Sequence, residues 1–249
     1  ILKNPKNLGY GGNQKIGYDF AIKRGFNFVA LLHGDGQYAP EYLNKLLLPL
    51  KAGKADAVFG SRMMRKIDAL KGGMPIYKFL GNKILTYLQN KLLNTSLSEF
   101  HSGYRVYKVD FLKKIPFYLN TNDFHFDTEI IIQILFFNGK IKEIPIPTYY
   151  GDEICHVNGI KYAVNVILTS ITAKFQKYNL LYDRRFEVLE NDNSHYTSKL
   201  NWESPHLMAL NASRKSKDIL DLGCAGGAVI EKLSLQNKNV TAVDIFKPE

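Results

Sequence analysis

Asp35 and Gln37 stand two residues apart in His33-Gly34-Asp35-Gly36-Gln37, directly after the apolar run Phe28 to Leu32. A carboxylate and an amide oxygen at that spacing can both reach one hard cation such as Mg²⁺ or Mn²⁺. Such an ion would hold a diphosphate and neutralise the charge that grows on it as it departs. The bland alternative is an ordinary polar turn after a strand. A second group lies late in the chain. Asp218-Ile219-Leu220-Asp221-Leu222 runs into the small-residue turn Gly223-Cys224-Ala225-Gly226-Gly227, and Asp244 closes the run Val240 to Val243. Glycines there let backbone approach a ligand closely, and an acid ending the next strand suits ribose hydroxyls. A generic Rossmann-like turn is the plain reading of that group.

The elements that must position these residues alternate along the chain. Ile16 to Arg24 is predicted to be a helix opened by the turn Gly9-Tyr10-Gly11-Gly12-Asn13. Phe28 to Leu32 and Ala55 to Gly60 are strand-length apolar runs, separated by a helix that Pro40 begins and Leu50 ends. Apolar residues recur at helical spacing from Met74 to Leu93, and Asp127 to Phe137 is predicted as a helix. Ser102 to Tyr107 and Lys140 to Ile146 read as extended. Such alternation implies an α/β sheet, in which ligand chemistry collects beyond the carboxyl ends of the strands. Gly159 to Phe175 reads as a helix that serves as core, domain packing or a membrane-interface element. Tyr178 to Ser213 is more polar and reads as a linker with a leading helix, and a new α/β pattern starts at Asp218.

Composition narrows the classes. The 249 residues carry 33 Lys or Arg against 23 Asp or Glu, a net charge of +10, and 45% are hydrophobic, which excludes a disordered chain. Cys155 and Cys224 lie far apart and match no zinc spacing, so a reducing, cytoplasmic setting is expected rather than a disulfide scaffold. No uncharged apolar run reaches the roughly 20 residues that span a bilayer. The positive charge suits anionic partners: nucleotides, lipid phosphates or a membrane surface. The chain starts at Ile1 on a glycine-rich turn and ends shortly after a strand, so an internal fragment of a longer protein is expected.

Asn7-Leu8-Gly9-Tyr10-Gly11-Gly12-Asn13, Asp35-Gly36-Gln37-Tyr38-Ala39-Pro40-Glu41, Gly60-Ser61-Arg62, Ser102-Gly103-Tyr104-Arg105 and Glu143-Ile144-Pro145-Ile146-Pro147 follow one another in order. Together they resemble the family 2 glycosyltransferases of the GT-A fold, in the branch of dolichol-phosphate mannose synthase and polyprenyl-phosphate sugar transferases. The resemblance covers residues 1–177. It implies that Asp35 is the second acid of an Asp-x-Asp element and a metal ligand with Gln37, with Mg²⁺ or Mn²⁺ as cofactor. It places Arg62 and Lys78 near donor and acceptor phosphates, as a bidentate guanidinium and a point charge. Arg105 either lines the acceptor side or forms a buried ion pair. Two positions depart from the pattern. His33 replaces the usual first acid, which weakens metal binding or turns it to a nucleotide contact. Glu99 stands where relatives have Asp, and serves as base or as an orienting group. Asp127 and Glu129 read equally as acids favoured by a helix start. The family's first, nucleotide-binding strand is expected to lie outside this chain, leaving the fragment inactive alone.

The late group resembles motif I and the following acidic element of class I S-adenosylmethionine-dependent methyltransferases, over about residues 207–247. That implies S-adenosylmethionine as a second cofactor, with Asp221, Gly223, Ala225 and Gly227 around the methionine part and Asp244 on the ribose. The expected fold is therefore α/β: a partial GT-A (nucleotide-diphospho-sugar transferase) domain over 1–177, a linker and leading helix over 178–206, and the beginning of a Rossmann-like methyltransferase domain over 207–249. The expected activity is inverting sugar transfer from a nucleotide-diphosphate donor to a polyprenyl phosphate or glycan acceptor, in cell-surface glycan assembly. A methyltransferase with a degenerate sugar-binding front domain is the alternative. Peripheral contact with the cytoplasmic face of a membrane is expected, and no nucleic-acid partner.

Overall fold

Central strands buried on both faces need two apolar sides, and the observed sheet follows that rule. The structure, a computed structural model, describes residues 4–151, 158–188, 204–224, 227–236 and 238–243. It divides into two units, Ile1–Val188 and Leu189–Glu249. The first holds a four-stranded sheet of β1 (Phe28–Leu32), β2 (Ala57–Ser61), β3 (Tyr104–Lys108) and β4 (Ile141–Pro145), in the order β1-β3-β2-β4. β3 runs antiparallel to β1 and β2, with Leu32 opposite Tyr104 and Phe59 opposite Arg105. β4 runs parallel to β2, with Ser61 opposite Pro145. The carboxyl ends of β1, β2 and β4 therefore share one edge with the amino end of β3.

Seven helices flank this sheet: α1 (Gly9–Lys23), α2 (Leu43–Lys51), α3 (Lys66–Lys71), α4 (Ile76–Leu93), α5 (Val109–Leu112), α6 (Phe126–Phe136) and α7 (Gly159–Lys177). Side chains alternate across a strand. Ala57, Phe59 and Tyr107 thus pack against Tyr18 of α1 and Ile130, Ile131 and Ile134 of α6. Val58, Tyr104 and Val106 face the other way, onto Leu46 and Leu50 of α2. Each such aliphatic or aromatic side chain contributes about 1.5–3 kcal/mol of burial.

The expected turn at Gly9 to Asn13 is instead the first part of α1. Gly11 donates from its backbone N–H to Asn122 O at 2.8 Å. A Cβ on Gly11 would lie 2.3 Å from Thr121 O and 2.9 Å from Phe126 Cβ. Glycine here lets a helix press against the 121–126 segment; it does not form a phosphate loop. The helix begun by Pro40 opens as a 3₁₀ turn, Pro40–Tyr42, before α2. The short helices α3 and α5 escaped the sequence reading because neither is long enough to show a period.

The second unit contains α8 (Pro205–Ala212), β5 (Asp218–Leu222), α9 (Ala228–Ser234) and β6 (Asn239–Val243). Ser204 caps α8, its Oγ accepting from Leu207 N at 3.2 Å. β5 and β6 pair in parallel, Asp218 opposite Asn239 and Leu222 opposite Val243, with α9 as the crossover. Ala225 and Asp244 lie outside the described residues.

Candidate active site

His33, Asp35 and Gln37 sit where β1 ends, on the shared sheet edge. Asp35 Oδ1 accepts from Gln37 N at 3.1 Å, closing a turn in which Gly36 takes a φ of +77°. Gln37 O accepts from Tyr149 N at 3.0 Å and Thr148 Oγ1 at 3.1 Å, which ties this turn to the segment after β4. The Asp35 side chain stays partly exposed, its Oδ2 3.8 Å from His33 Nδ1.

His33 is held by three neighbours. Its ring lies against Gly103, where a Cβ would come within 2.2 Å of the imidazole. Tyr38 meets it edge-on at 5.7 Å, and the Tyr38 hydroxyl accepts from Gly103 N at 2.9 Å. Tyr10 Oη lies 2.9 Å from His33 Nε2 and donates to Asp127 Oδ2 at 2.8 Å. A carboxylate only accepts, and Tyr10 has one hydrogen. Burial, with Asp127 next to it, pushes the Tyr10 hydroxyl well above its ordinary value and keeps that hydrogen in place. His33 therefore carries its proton on Nε2 and presents the Nδ1 lone pair towards Asp35. Burial lowers the His33 imidazole below its ordinary value, so it is neutral at neutral pH.

Arg62, expected to face phosphates, is paired inside the protein. Arg62 follows β2 and is only 6% exposed. Its Nε donates to Glu99 Oε1 at 2.9 Å, its Nη2 to Glu99 Oε1 and to His101 O, and its Nη1 to Tyr150 Oη at 2.7 Å. Its backbone N donates to Glu99 Oε2 at 2.8 Å, and Asn82 Nδ2 of α4 donates to Oε1 at 2.8 Å. Glu99 is thus a buried partner of Arg62, not a free base. Burial alone would raise its carboxyl; the Arg62 guanidinium and the Asn82 amide outweigh that and hold it below its ordinary value. Glu143 of β4 fixes the segment that carries Glu99, accepting from Ser98 N at 2.7 Å and Glu99 N at 3.1 Å.

Arg105, expected either on the acceptor side or in a buried ion pair, takes the second arrangement. It is fully buried beneath the edge, donating to Ser102 O at 2.8 Å and Phe100 O at 2.7 Å and lying 3.4 Å from Asp127 Oδ2. Asp127 and Glu129 likewise hold structural partners: Gln14, Tyr10 and Arg105 for the first, Thr121 N and Arg185 for the second. Lys78 starts α4 with its Nζ 5.4 Å from the Tyr150 ring centroid. Tyr150 therefore joins Lys78 to Arg62.

Sequence reasoning passed over Tyr10, Asn82, Tyr150 and Glu143 as site-building residues. Tyr10 and Glu143 lie inside the quoted motifs, but no spacing rule reveals their distant partners. In the second unit, Asp221 lies on β5 and Gly223 follows it at φ +81°, its N donating to Val243 O at 2.8 Å. Gly227 precedes α9 at φ +76°.

The first unit has relatives among known proteins. The model of glycosyl transferase family 2 matches residues 1–116. An uncharacterised protein of Methanocaldococcus jannaschii is 31% identical over 152 residues, which cover 61% of this chain and 62% of that protein. The low-salt glycan biosynthesis hexosyltransferase of Haloferax volcanii is 33% identical over 154 residues, 61% of this chain and 35% of that one. The polyprenol monophosphomannose synthase of Mycolicibacterium smegmatis is 25% identical over 147 residues, 59% of this chain and 54% of that one. The chain thus spans about half the length of the curated relatives it matches. The mixed sheet is consistent with a GT-A domain. Over residues 1–116 the front of this chain is therefore similar to glycosyl transferase family 2.

Proposed function

We propose that the first unit works in the transfer of a sugar from a nucleotide-diphosphate donor to a polyprenyl phosphate during cell-surface glycan biosynthesis. One observation carries the choice of acceptor: Glu99, the carboxylate positioned as a base, is consumed by Arg62 and Asn82. A sugar hydroxyl acceptor needs a base to take its proton, whereas a lipid phosphate is already ionised and needs none. Its oxygen attacks the anomeric carbon with inversion, the bond from that carbon to the diphosphate breaks, and the diphosphate leaves with the electron pair. Relatives whose names give polyprenol monophosphomannose synthase and undecaprenyl-phosphate mannosyltransferase support this class.

Asp35 and the Gln37 side chain would hold Mg²⁺ or Mn²⁺, with His33 Nδ1 beside them. Among the described residues no three His, Cys, Asp or Glu side chains converge on a metal. The donor set therefore fits an ion that keeps waters and shares substrate oxygens, as Mg²⁺ does. When bound it would neutralise charge on the departing diphosphate. Lys78 would meet phosphate as a point charge, Arg62 would hold the Glu99 segment and Tyr150 in place, and Arg105 would position Asp127, Tyr10 and, through them, His33.

Release of nucleotide diphosphate from a panel of nucleotide sugars tests this in the intact protein, wild type and Asp35→Ala, with either cation. Metal-dependent release that needs Asp35 and rises with polyprenyl phosphate is expected. No release from any donor would refute the transferase reading. Release indifferent to the lipid would refute the acceptor.

A second reading concerns the other unit. The parallel β5–α9–β6 crossover, with Gly223 and Gly227 both at positive φ where β5 turns into α9, favours a class I methyltransferase start that binds S-adenosylmethionine. Asp221, Gly223, Ala225 and Gly227 would then serve the cofactor and Asp244 its ribose. Calorimetric titration of S-adenosylmethionine tests it; heat that persists in Gly223→Val, or no heat in wild type, would refute it.

A further inference from the structure

The first unit runs on past the end of α7. Asn179 takes a φ of +56° just beyond that end, and Asp183 N donates back to Gln176 Oε1 at 2.9 Å. The 3₁₀ turn Arg184–Phe186 then docks against α6. Phe186 is 1% exposed, packed with Ile132 and Phe136 of α6 and Ala173 of α7. Arg185 O accepts from Gln133 Nε2 at 3.0 Å. Leu180, Leu181 and Tyr182 stay exposed, so the docking is confined to residues 183–186.

Arg185 carries the polar half of that docking. Asp183 Oδ1 accepts from the Arg185 backbone N and from its Nε, each at 3.0 Å, which aims the guanidinium. Nη1 then donates to Glu129 Oε1. Glu129 is fully buried, and a buried carboxylate stripped of its cation is costly. Its other oxygen accepts from Thr121 N at 2.6 Å. Asn120 and Gln133 exchange amide hydrogen bonds at 3.0 and 2.7 Å, so α6 anchors the same segment a second time.

That segment is what α1 rests on. Thr121 O leaves no room for a Cβ on Gly11, and Asn122 O accepts from Gly11 N at 2.8 Å. The adjacent Tyr10 stacks on Phe124 with ring centroids 5.2 Å apart, and its hydroxyl meets His33 Nε2. Direct contacts therefore run from Arg185 through Glu129 and Thr121 to α1 and His33, which is the kind of packed, hydrogen-bonded chain that can carry coupling. We propose that Arg185 is a positioning residue for the candidate site. Its grip on Glu129 fixes the segment that holds Tyr10, and Tyr10 keeps the His33 proton on Nε2 and the Nδ1 lone pair towards Asp35. The use of that lone pair beside a metal rests on the function proposed above; the placement of His33 does not.

Arg185→Gln in the full chain, with ¹⁵N in its histidines, tests this. His33 should lose the Nε2–H tautomer, as in Tyr10→Phe, and the two substitutions together should move its signals no further than Tyr10→Phe alone. Arg185→Lys keeps a charge but not the fork between Asp183 and Glu129; it should move them part of the way, and it stands in if Arg185→Gln does not fold. Leu50→Ala, a core truncation on the other face of the sheet, should lower stability and leave His33 as it was. Mn²⁺ affinity, read by electron paramagnetic resonance, should fall about two- to thirtyfold in Arg185→Gln. His33 signals unchanged in the folded Arg185 variants, or shifted as much by Leu50→Ala, would overturn the proposal. A wild type that binds no Mn²⁺ would refute the metal reading alone, and the spectra would still decide the role of Arg185.

Discussion

Glu99→Gln keeps the shape of a side chain whose charge holds several elements together, so it isolates the electrostatic part of the site. Glu99 is 1% exposed and accepts from Arg62 through the guanidinium and the backbone, and from Asn82. The amide keeps one acceptor oxygen, but its NH₂ must face the Arg62 backbone N–H, donor against donor. The Arg62 guanidinium is left buried without a counter-charge. Breaking a buried pair by removing one partner costs about 3–5 kcal/mol. For a unit of this size that predicts a fall in Tm of about 6–20 °C. The assay is thermal unfolding followed by circular dichroism, with a urea titration to check that the denaturant slope is unchanged. Glu99→Leu combined with Arg62→Met should recover much of the loss, because replacing both ions removes the unpaired charge. The pH dependence carries the same sign. The folded Glu99 carboxyl lies below its ordinary value of 4.5, so its contribution is present above that pH and lost as pH falls further. Glu99→Gln within about 1 kcal/mol of wild type would refute the argument, since an exposed pair costs no more than that.

Three further outcomes follow from the same network. Gly103→Ala would drive a Cβ into the His33 ring, and an overpacking loss of about 1–3 kcal/mol is expected in urea unfolding, together with lost diphosphate release. Tyr10→Phe removes the acceptor of His33 Nε2–H and a donor to Asp127; stability should fall by about 1.5–3 kcal/mol, and ¹⁵N spectra should show His33 leaving the Nε2–H tautomer that dominates in wild type. Burial pushes the His101 imidazole down to about 4 from its ordinary 6.5, and its buried Nε2 has no partner among the described residues. A depressed imidazole destabilises the fold as pH drops from 6.5 towards 4, so unfolding measured across that window should steepen in wild type and flatten in His101→Asn.

Much of the architecture could be read along the chain because it rests on local rules. Apolar runs bounded by Gly, Asp and Pro located β1, β2 and β4 closely, and helical spacing located α4, α6 and α7. The position of His33, Asp35 and Gln37 also followed, since a strand that ends in a polar turn delivers those side chains to the sheet edge wherever the sheet lies. What spacing could not decide is which charges remain free. Arg62 and Glu99 are 37 residues apart and Arg105 and Asp127 are 22 apart, so their pairing depends on the order β1-β3-β2-β4 and on α6 lying beneath it. Arg62, expected to meet phosphates, is instead buried in the frame of the site, and Arg105 takes the buried ion pair that was one of its two expected places, because an unpaired buried carboxylate would cost more than the desolvation of a well-bonded pair. The direction of α4 was likewise a tertiary outcome. Its sequence shows an apolar stripe, but only packing against Glu99 and Thr128 assigns the polar side inward and leaves the apolar side to face out.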